Sequence, residues 1–132
     1  MKALLFVLLI GSANAADLKC MALNIYHESR GEPVSGQIAV AAVTLNRLKD
    51  SRFPDSICKV VYQKKQFSWV GTKHQQTDLM AMANAYAISA MYIRGLHKDP
   101  TNGSIFYHAT YVNPGWKYKR TVRIGNHIFY KD

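Results

Sequence analysis

The chain has 132 residues, 48% of them hydrophobic, and a formal net charge of +9. This length suits a single domain, and the sequence has no repeat, low-complexity tract or long linker that would divide it. A balance this basic indicates an anionic partner, but the positive residues are scattered and no nucleic-acid-binding motif is present, so nucleic acid is not the expected partner.

The first residues have the layout of a secretory signal peptide. Lys2 precedes an apolar run over residues 3–10, and the small residues GSANAA follow. Cleavage after Ala15 would leave a mature chain of residues 16–132. The apolar run is much shorter than the roughly 20 residues of a membrane-spanning helix, so no stable membrane anchor is expected. We expect an exported protein, periplasmic or extracellular, whose anionic partner is the bacterial cell wall.

Two helices are predicted in the first part of the chain. Residues 18–29 carry apolar side chains at helical spacing, and Gly31 and Pro33 end this helix. Residues 35–48 are apolar on almost every side, which is typical of a helix buried in the middle of a domain.

The remaining chain predicts two more helices and then strands. A short helix is expected to begin at Pro54 and Asp55, and the longest helix to cover residues 77–94. The segments SIFYHA (residues 104–109) and RTVRIGNHIFYK (residues 120–131) are rich in β-branched and aromatic residues and predict short strands. The fold class is therefore α+β, mainly helical with a small C-terminal β region.

The two cysteines, Cys20 and Cys58, have two interpretations. An even pair in an exported protein is most simply a disulfide. Alternatively, Cys20 is a nucleophile with His108 or His127 as its base. We favour the disulfide, because a nucleophile would leave Cys58 unexplained.

The segment NIYHESRGEP, residues 24–33, places Glu28 and Glu32 close together in a chain with few acids. Glu28 falls in the last turn of the first helix, and Glu32 follows the helix break. Such unequal environments suit acid/base chemistry, in which one carboxyl must stay protonated. The alternative is that Glu28 is an ordinary solvated carboxylate and that Glu32 is a turn residue that pairs with Arg30.

Several ordered motifs resemble the SleB/CwlJ-type cell wall hydrolases, a family named for spore cortex-lytic enzymes. They are YHESRGEPVSGQIAVAAVTLNR, FPDSICKVVYQKKQFSW, PGW and IGNHIFY, which together span about residues 20–130. The resemblance implies a lysozyme-like, lytic transglycosylase-type fold, with the first glutamate of the Glu-x-Arg-Gly-Glu motif as the catalytic acid. That glutamate is Glu28. Ser29 follows it where the family usually has alanine.

The resemblance also implies a reaction, the cleavage of peptidoglycan between N-acetylmuramic acid and N-acetylglucosamine. A hydrolase normally uses two carboxylates, which leaves Glu32 as a possible second one. A lytic transglycosylase needs one, because the sugar's own hydroxyl attacks and gives a 1,6-anhydromuramoyl product. The scarcity of acids favours this second route. We expect a monomer that needs neither cofactor nor metal.

The other motif residues would shape the substrate groove. The QFSW motif and the β region supply amide, hydroxyl, imidazole and aromatic groups, and the candidate substrate-binding residues are Gln66, Phe67, Ser68, His108, Trp116 and His127. Asn46 and Arg47 also match the family motif, but their place near the end of a buried helix predicts internal hydrogen bonds.

Two other classes of function stay open at this stage. A Cys/His or zinc-dependent peptidoglycan peptidase or amidase would share the export, the charge and the five histidines. The signature of helical zinc proteases is incomplete, however, since Gly31 stands where the second histidine should follow His27. A non-catalytic wall-binding module would use the basic surface and the aromatic residues without Glu28.

Overall fold

The structure, a computed structural model, describes residues 15–63 and 77–132. Over these residues the chain forms four helices and then three strands. The helices are α1 (Ala15–Ser29), α2 (Val34–Lys49), α3 (Ile57–Val61) and α4 (Leu79–Ile93). The strands are β1 (Phe106–Ala109), β2 (Lys119–Ile124) and β3 (His127–Lys131). The predicted α+β class, mainly helical with a small C-terminal β region, is confirmed.

The element boundaries differ from the predictions by a few residues, for local reasons. The short helix begins at Ile57, later than predicted, because the Ser56 hydroxyl caps it by accepting a hydrogen bond from the Lys59 amide at 3.1 Å. The last helix begins at Leu79, since the Asp78 carboxylate accepts from the Ala81 amide at 3.0 Å. The short strands predicted over residues 120–131 are β2 and β3, which form a hairpin with Gly125 and Asn126 between them.

Helix α2 lies at the centre of the molecule, as its apolar composition predicted. Val40 belongs to a large cluster that also contains buried side chains of α1, α3 and α4. Ala39 and Val43, on another side of α2, pack against Phe129 of β3. Helix α2 is therefore covered by helices on one side and by the sheet on the other.

The sheet is antiparallel, with β3 between β1 and β2. Tyr107 of β1 pairs with Phe129 of β3, and both pack towards α2 on what we call the inner face of the sheet. Because successive side chains of a strand point to opposite sides, Phe106, His108 and Tyr130 lie on the outer face.

Asn46 and Arg47 attach α2 to the chain that leads into β1. The Asn46 side-chain amide donates to Asp99 at 2.8 Å and to the Ser104 carbonyl oxygen at 2.9 Å. Arg47 is 3% exposed, and its Nε donates to the Ile105 carbonyl oxygen at 2.7 Å. These are the internal hydrogen bonds predicted for the two residues.

Cys20 and Cys58 form a disulfide that joins α1 to α3. The predicted bridge is confirmed, and both cysteines of the chain are used in it. A disulfide-bonded sulfur is not a thiolate, so the alternative of a Cys20 nucleophile is wrong.

The predicted signal peptide falls almost entirely outside the described residues. Residues 1–14 are not described, and α1 begins at Ala15, so cleavage after that residue stays a prediction. Within the described ranges, no helix is both long enough and apolar enough to cross a membrane.

We predict that Cys20→Ser lowers the free energy of unfolding by about 2 to 5 kcal/mol, because the bridge closes a long loop. The two cysteines are 38 residues apart, for which loop entropy alone corresponds to about 4 kcal/mol. Urea denaturation of Cys20→Ser, Cys58→Ser and the double variant measures the loss, which should be nearly the same for all three. Two titratable thiols in the native wild-type protein would contradict the bridge.

Candidate functional site

A cleft of about 470 Å³ lies where the end of α1 meets the β region. Residues 27–32 line one side, and residues 109–111 with Asn126 and His127 line the other. The cleft therefore brings together three of the predicted site residues, Glu28, Glu32 and His127. Their closeness depends on the docking of the sheet against the helices, since the first and last are almost 100 residues apart in sequence.

Glu28 lies in the last turn of α1 with its carboxyl group partly buried. The Tyr107 hydroxyl donates a hydrogen bond to Oε2 at 3.1 Å. Oε1 is buried and has no hydrogen-bond partner among the described residues. Burial raises the pKa of Glu28 above its usual value of 4.5, while the bond from Tyr107 and the positive charge of Arg47 act in the opposite direction. Glu28 is thus not the ordinary solvated carboxylate of the alternative interpretation.

Tyr107 and Arg47 form the support behind Glu28. Burial raises the pKa of the Tyr107 hydroxyl well above 10, and the neighbouring Glu28 charge adds to this, so the hydroxyl stays protonated and can donate. The guanidinium carbon of Arg47 lies 5.2 Å from the centre of the Phe53 ring and 5.8 Å from that of Phe106. Arginine stays charged even though burial lowers the pKa of Arg47, so a fixed positive charge lies near the carboxyl.

Sequence reasoning missed Tyr107. The only available signal was its position in the predicted strand SIFYHA, one residue before His108. Nothing local to that strand indicates a contact with a glutamate 79 residues away.

Glu32 holds the β2–β3 hairpin against the turn between α1 and α2. Its Oε1 accepts from the Asn126 amide at 2.6 Å, and its Oε2 accepts from the Asn126 side chain at 3.1 Å. Gly125 precedes Asn126 with φ +57, and a Cβ atom there would lie 2.6 Å from Oε1 of Glu32. Glycine is therefore favoured at this position for two reasons: it adopts the positive φ without strain, and it has no Cβ atom to clash with the carboxylate.

The alternative interpretation, in which Glu32 pairs with Arg30, is wrong. Arg30 instead donates to the Tyr26 hydroxyl at 2.6 Å, and its guanidinium lies 5.0 Å from the centre of the Tyr26 ring. The turn is held from the other side, where the Gln37 side chain donates to the backbone carbonyl of Glu32 at 3.1 Å.

His127 lines the cleft beside both Tyr107 and Glu32. Its ring centre lies 5.0 Å from that of Tyr107, and its Nδ1 lies 3.7 Å from Oε1 of Glu32. Burial lowers the pKa of His127, the Glu32 charge opposes this, and His108 adds to the lowering. At neutral pH the imidazole is therefore uncharged, and its contact with Glu32 is not an ion pair.

Of the other predicted substrate-binding residues, His108 and Trp116 are not among those that line this cleft. His108 and Trp116 lie in a group of aromatic rings on the outer face, where Nε2 of His108 is 2.7 Å from the Tyr130 hydroxyl. Gln66, Phe67 and Ser68 lie outside the described residues. Among the residues that are described, no three His, Cys, Asp or Glu side chains are grouped so as to hold a metal ion.

Comparisons with known proteins agree with the architecture. A family model described as Cell Wall Hydrolase matches residues 31–130, a stretch that begins just after Glu28. The spore cortex-lytic enzyme of Oceanobacillus iheyensis is 36% identical over 118 residues, which cover 87% of this chain and 41% of that protein. The enzyme of the same name from Bacillus subtilis is 34% identical over 122 residues, or 90% of this chain and 39% of that protein. The chain thus spans about two-fifths of the length of these relatives.

Two solved structures are also similar. The catalytic domain of the germination-specific lytic transglycosylase SleB from Bacillus anthracis has a TM-score of 0.72 and 30% identity, covering 89% of this chain and 95% of that one. The catalytic domain of the Bacillus cereus SleB protein has a TM-score of 0.69 and 32% identity, covering 87% and 89%.

Removal of the Tyr107 hydroxyl should raise the pKa of Glu28 further. The hydrogen bond from Tyr107 favours the charged carboxylate, so Tyr107→Phe makes that form less stable. Titration of the Glu28 carboxyl carbon by ¹³C NMR measures the pKa directly, and Tyr130→Phe is the matched control because its hydroxyl contacts His108 on the outer face. A wild-type Glu28 that titrates below 4.5, or an equal shift in both variants, would contradict the assignment.

Glu32→Gln should lower the free energy of unfolding by about 1 to 3 kcal/mol. The amide has one acceptor oxygen, whereas the two oxygens of Glu32 accept two hydrogen bonds from Asn126. Urea denaturation checks this against Asp55→Asn, which neutralises a carboxylate with a side-chain exposure of 90%. Equal stability of wild type and Glu32→Gln would show that the carboxylate does not hold the hairpin.

Proposed function

The chain belongs to the cell wall hydrolase family, and on that premise we propose that it cleaves the glycan strands of peptidoglycan with Glu28 as the proton donor. The observation that carries the proposal is the environment of Glu28. Its carboxyl has a pKa raised by burial, is held by Tyr107 on one oxygen, and lines a cleft. A carboxyl whose pKa is raised holds its proton to higher pH than an ordinary glutamate, and the departing oxygen of a glycosidic bond requires such a proton donor.

The first step would transfer a proton from Glu28. As the bond between the anomeric carbon of N-acetylmuramic acid and the oxygen of N-acetylglucosamine breaks, its electron pair goes to that oxygen, which takes the proton. The anomeric carbon gains oxocarbenium character, and Glu28 becomes a carboxylate. The hydroxyl of Tyr107 and the charge of Arg47 both favour the carboxylate form, so they would stabilise Glu28 at this stage.

The second step would use the same carboxylate as a base. The hydroxyl on carbon six of the muramoyl sugar attacks its own anomeric carbon and gives its proton to Glu28. The product is a 1,6-anhydromuramoyl end, and Glu28 returns to its protonated form. No water, second carboxylate or cofactor takes part in this sequence.

The bonding of Glu32 favours this route over hydrolysis. Glu28 and Glu32 are the carboxylates that line the cleft among the described residues, and both oxygens of Glu32 accept hydrogen bonds from Asn126. These bonds hold the Glu32 carboxylate towards the hairpin, whereas a nucleophile or general base must be directed at the sugar or at a water molecule. Hydrolysis of the same bond, with Glu32 as second carboxylate, is the alternative, since Glu32 does line the cleft. A Cys/His peptidase is excluded by the disulfide.

The proposal includes the setting of the reaction. The substrate is peptidoglycan, and the protein acts after export, in the periplasm or outside the cell. The positive charge of the chain would draw it towards the acidic groups of the wall. We propose that it acts as a monomer, without nucleic acid, metal or a stable membrane anchor.

Glu28→Gln should fold normally, still bind insoluble peptidoglycan and lose at least 10²- to 10⁴-fold in turnover, the usual loss when general acid catalysis is removed. Mass spectrometry of the soluble products measures turnover and product type together, and circular dichroism confirms folding. Asp55→Asn, an exposed carboxylate on another part of the surface, is the matched control and should keep full activity.

Each possible product identifies one route. Anhydromuramoyl ends from the wild type, with only a small loss of turnover in Glu32→Gln, would support the one-carboxylate mechanism. Reducing-end muramic acid, with a large loss in Glu32→Gln, would establish hydrolysis instead. A folded Glu28→Gln protein with activity near that of the wild type would refute the role of Glu28.

A further inference from the structure

The outer face of the sheet carries a continuous group of aromatic rings. We call it the outer aromatic cluster, and its members are Phe106, His108, Trp116, Tyr118 and Tyr130. Phe106 stacks on Tyr118 at 4.4 Å between ring centres, and Trp116 lies within 5.2 to 6.0 Å of each of the other four. The rings of the cluster therefore pack into one continuous surface.

Two members of this cluster remain open to solvent. Trp116 is 38% exposed and Tyr118 is 40% exposed, although both are large rings. Aromatic rings that are fixed by packing and exposed on one side provide contact area with little loss of conformational entropy on binding.

The same region has a strong excess of positive charge. Residues 100–131 contain no acidic residue and five basic ones, which are Lys117, Lys119, Arg120, Arg123 and Lys131. Arg120 pairs with Tyr130 and Arg123 with Ile128, so both arginines project on the outer face. Among the described residues, the basic members of ion pairs are Arg52, Lys59 and His127. None of the five basic residues of this region therefore forms an ion pair with a described carboxylate.

We propose that the outer face is a second peptidoglycan-binding surface, separate from the cleft, that holds the enzyme on the wall. The C–H faces of sugar rings would stack on Trp116 and Tyr118. The carboxylates of the stem peptides would pair with Arg120 and Arg123, since the planar guanidinium suits two-point binding of carboxylate. The identity of the polymer rests on the proposed function, whereas the surface itself rests on the rings and the charges.

The geometry separates this surface from the reaction. Tyr107 contacts Glu28 from the inner face, while its neighbours in β1, Phe106 and His108, point to the outer face. A glycan strand in the cleft and a second strand on the outer face would therefore lie on opposite sides of the sheet. When the outer face is bound to the polymer, the cleft stays close to neighbouring glycan strands, so the effective concentration of substrate at the cleft is raised.

The experiment measures binding in the Glu28→Gln background, where the polymer should not be consumed. The probe is purified sacculi treated with hydrofluoric acid to remove teichoic acids, and the bound fraction is determined by sedimentation. The test variant carries Arg120→Gln and Arg123→Gln. The matched control carries Arg94→Gln and Lys98→Gln, which remove the same charge from exposed positions after α4.

We expect the test pair to weaken binding about tenfold or more, corresponding to about 1.4 kcal/mol, and to reduce its salt dependence. The control pair should change binding by less than about twofold, because charges away from the binding surface contribute only through long-range attraction. Trp116→Ala should also weaken binding if circular dichroism shows that it folds. The arginine variants keep the test valid if it does not.

Three outcomes would overturn the proposal. Equal losses in the test and control pairs would indicate attraction by net charge alone. Unchanged binding of the test pair would show that the outer face has no contact with the wall. Binding that requires untreated walls would identify the phosphate of teichoic acids as the partner. Release of soluble fragments by Glu28→Gln would refute the proposed role of Glu28. It would not affect the test of the outer face, which depends only on the difference in bound fraction between the test and control pairs.

Discussion

The burial of the Glu28 carboxyl between α1 and the inner face of the sheet is the constraint on which the site depends. Because its pKa is raised, the folded protein binds the Glu28 proton more tightly than the unfolded chain does. The free energy of unfolding therefore falls as the pH rises from about 4.5 through the folded-state pKa. The fold keeps a group that reduces its own stability at neutral pH, a feature typical of functional sites.

The rest of the structure compensates for that cost by holding the sheet firmly against the helices. The packing of α2 on both sides, through Val40 and Val43, fixes the distance between the two parts. Arg47 and Glu32 then join them by hydrogen bonds to the backbone at Ile105 and Asn126. The Cys20–Cys58 disulfide acts at the other end of α1, so both ends of the helix that carries Glu28 are held. The proposed role of Glu28 as proton donor needs such support, because a small displacement changes both the pKa of the carboxyl and its direction towards the substrate.

The sheet has two chemically different faces, and the difference would separate the two proposed tasks. Its inner face packs Val122 and Phe129 against α2. It also carries His127, which lines the cleft, and Tyr107, whose buried hydroxyl donates to Glu28. Its outer face has exposed rings and unneutralised arginines, which suit weak, repeated contacts with an extended polymer. An enzyme with the proposed activity on an insoluble wall would benefit from both, since chemistry requires a fixed geometry while retention on the polymer does not.

The sequence alone was enough for the features that depend on neighbouring residues. Helical spacing, the Gly31 and Pro33 break and the β-branched C-terminal segments predicted the elements to within a few residues. The family motif singled out Glu28, and the even cysteine count predicted the bridge. The internal hydrogen bonds of Asn46 and Arg47 followed from their place on a buried helix. In each case the physical cause is a local preference or a pattern that repeats within one element.

Tertiary structure decided the contacts that join distant parts of the chain. The sequence could not show that Tyr107 donates to Glu28, that Asn126 and not Arg30 binds Glu32, or that His108 and Trp116 lie on the opposite face from His127. A strand's alternation predicts that two faces exist but not which face meets the helices, because that depends on how the sheet docks on α2. The pKa of Glu28 depends on the same docking, since burial by residues far away in the sequence is its largest cause.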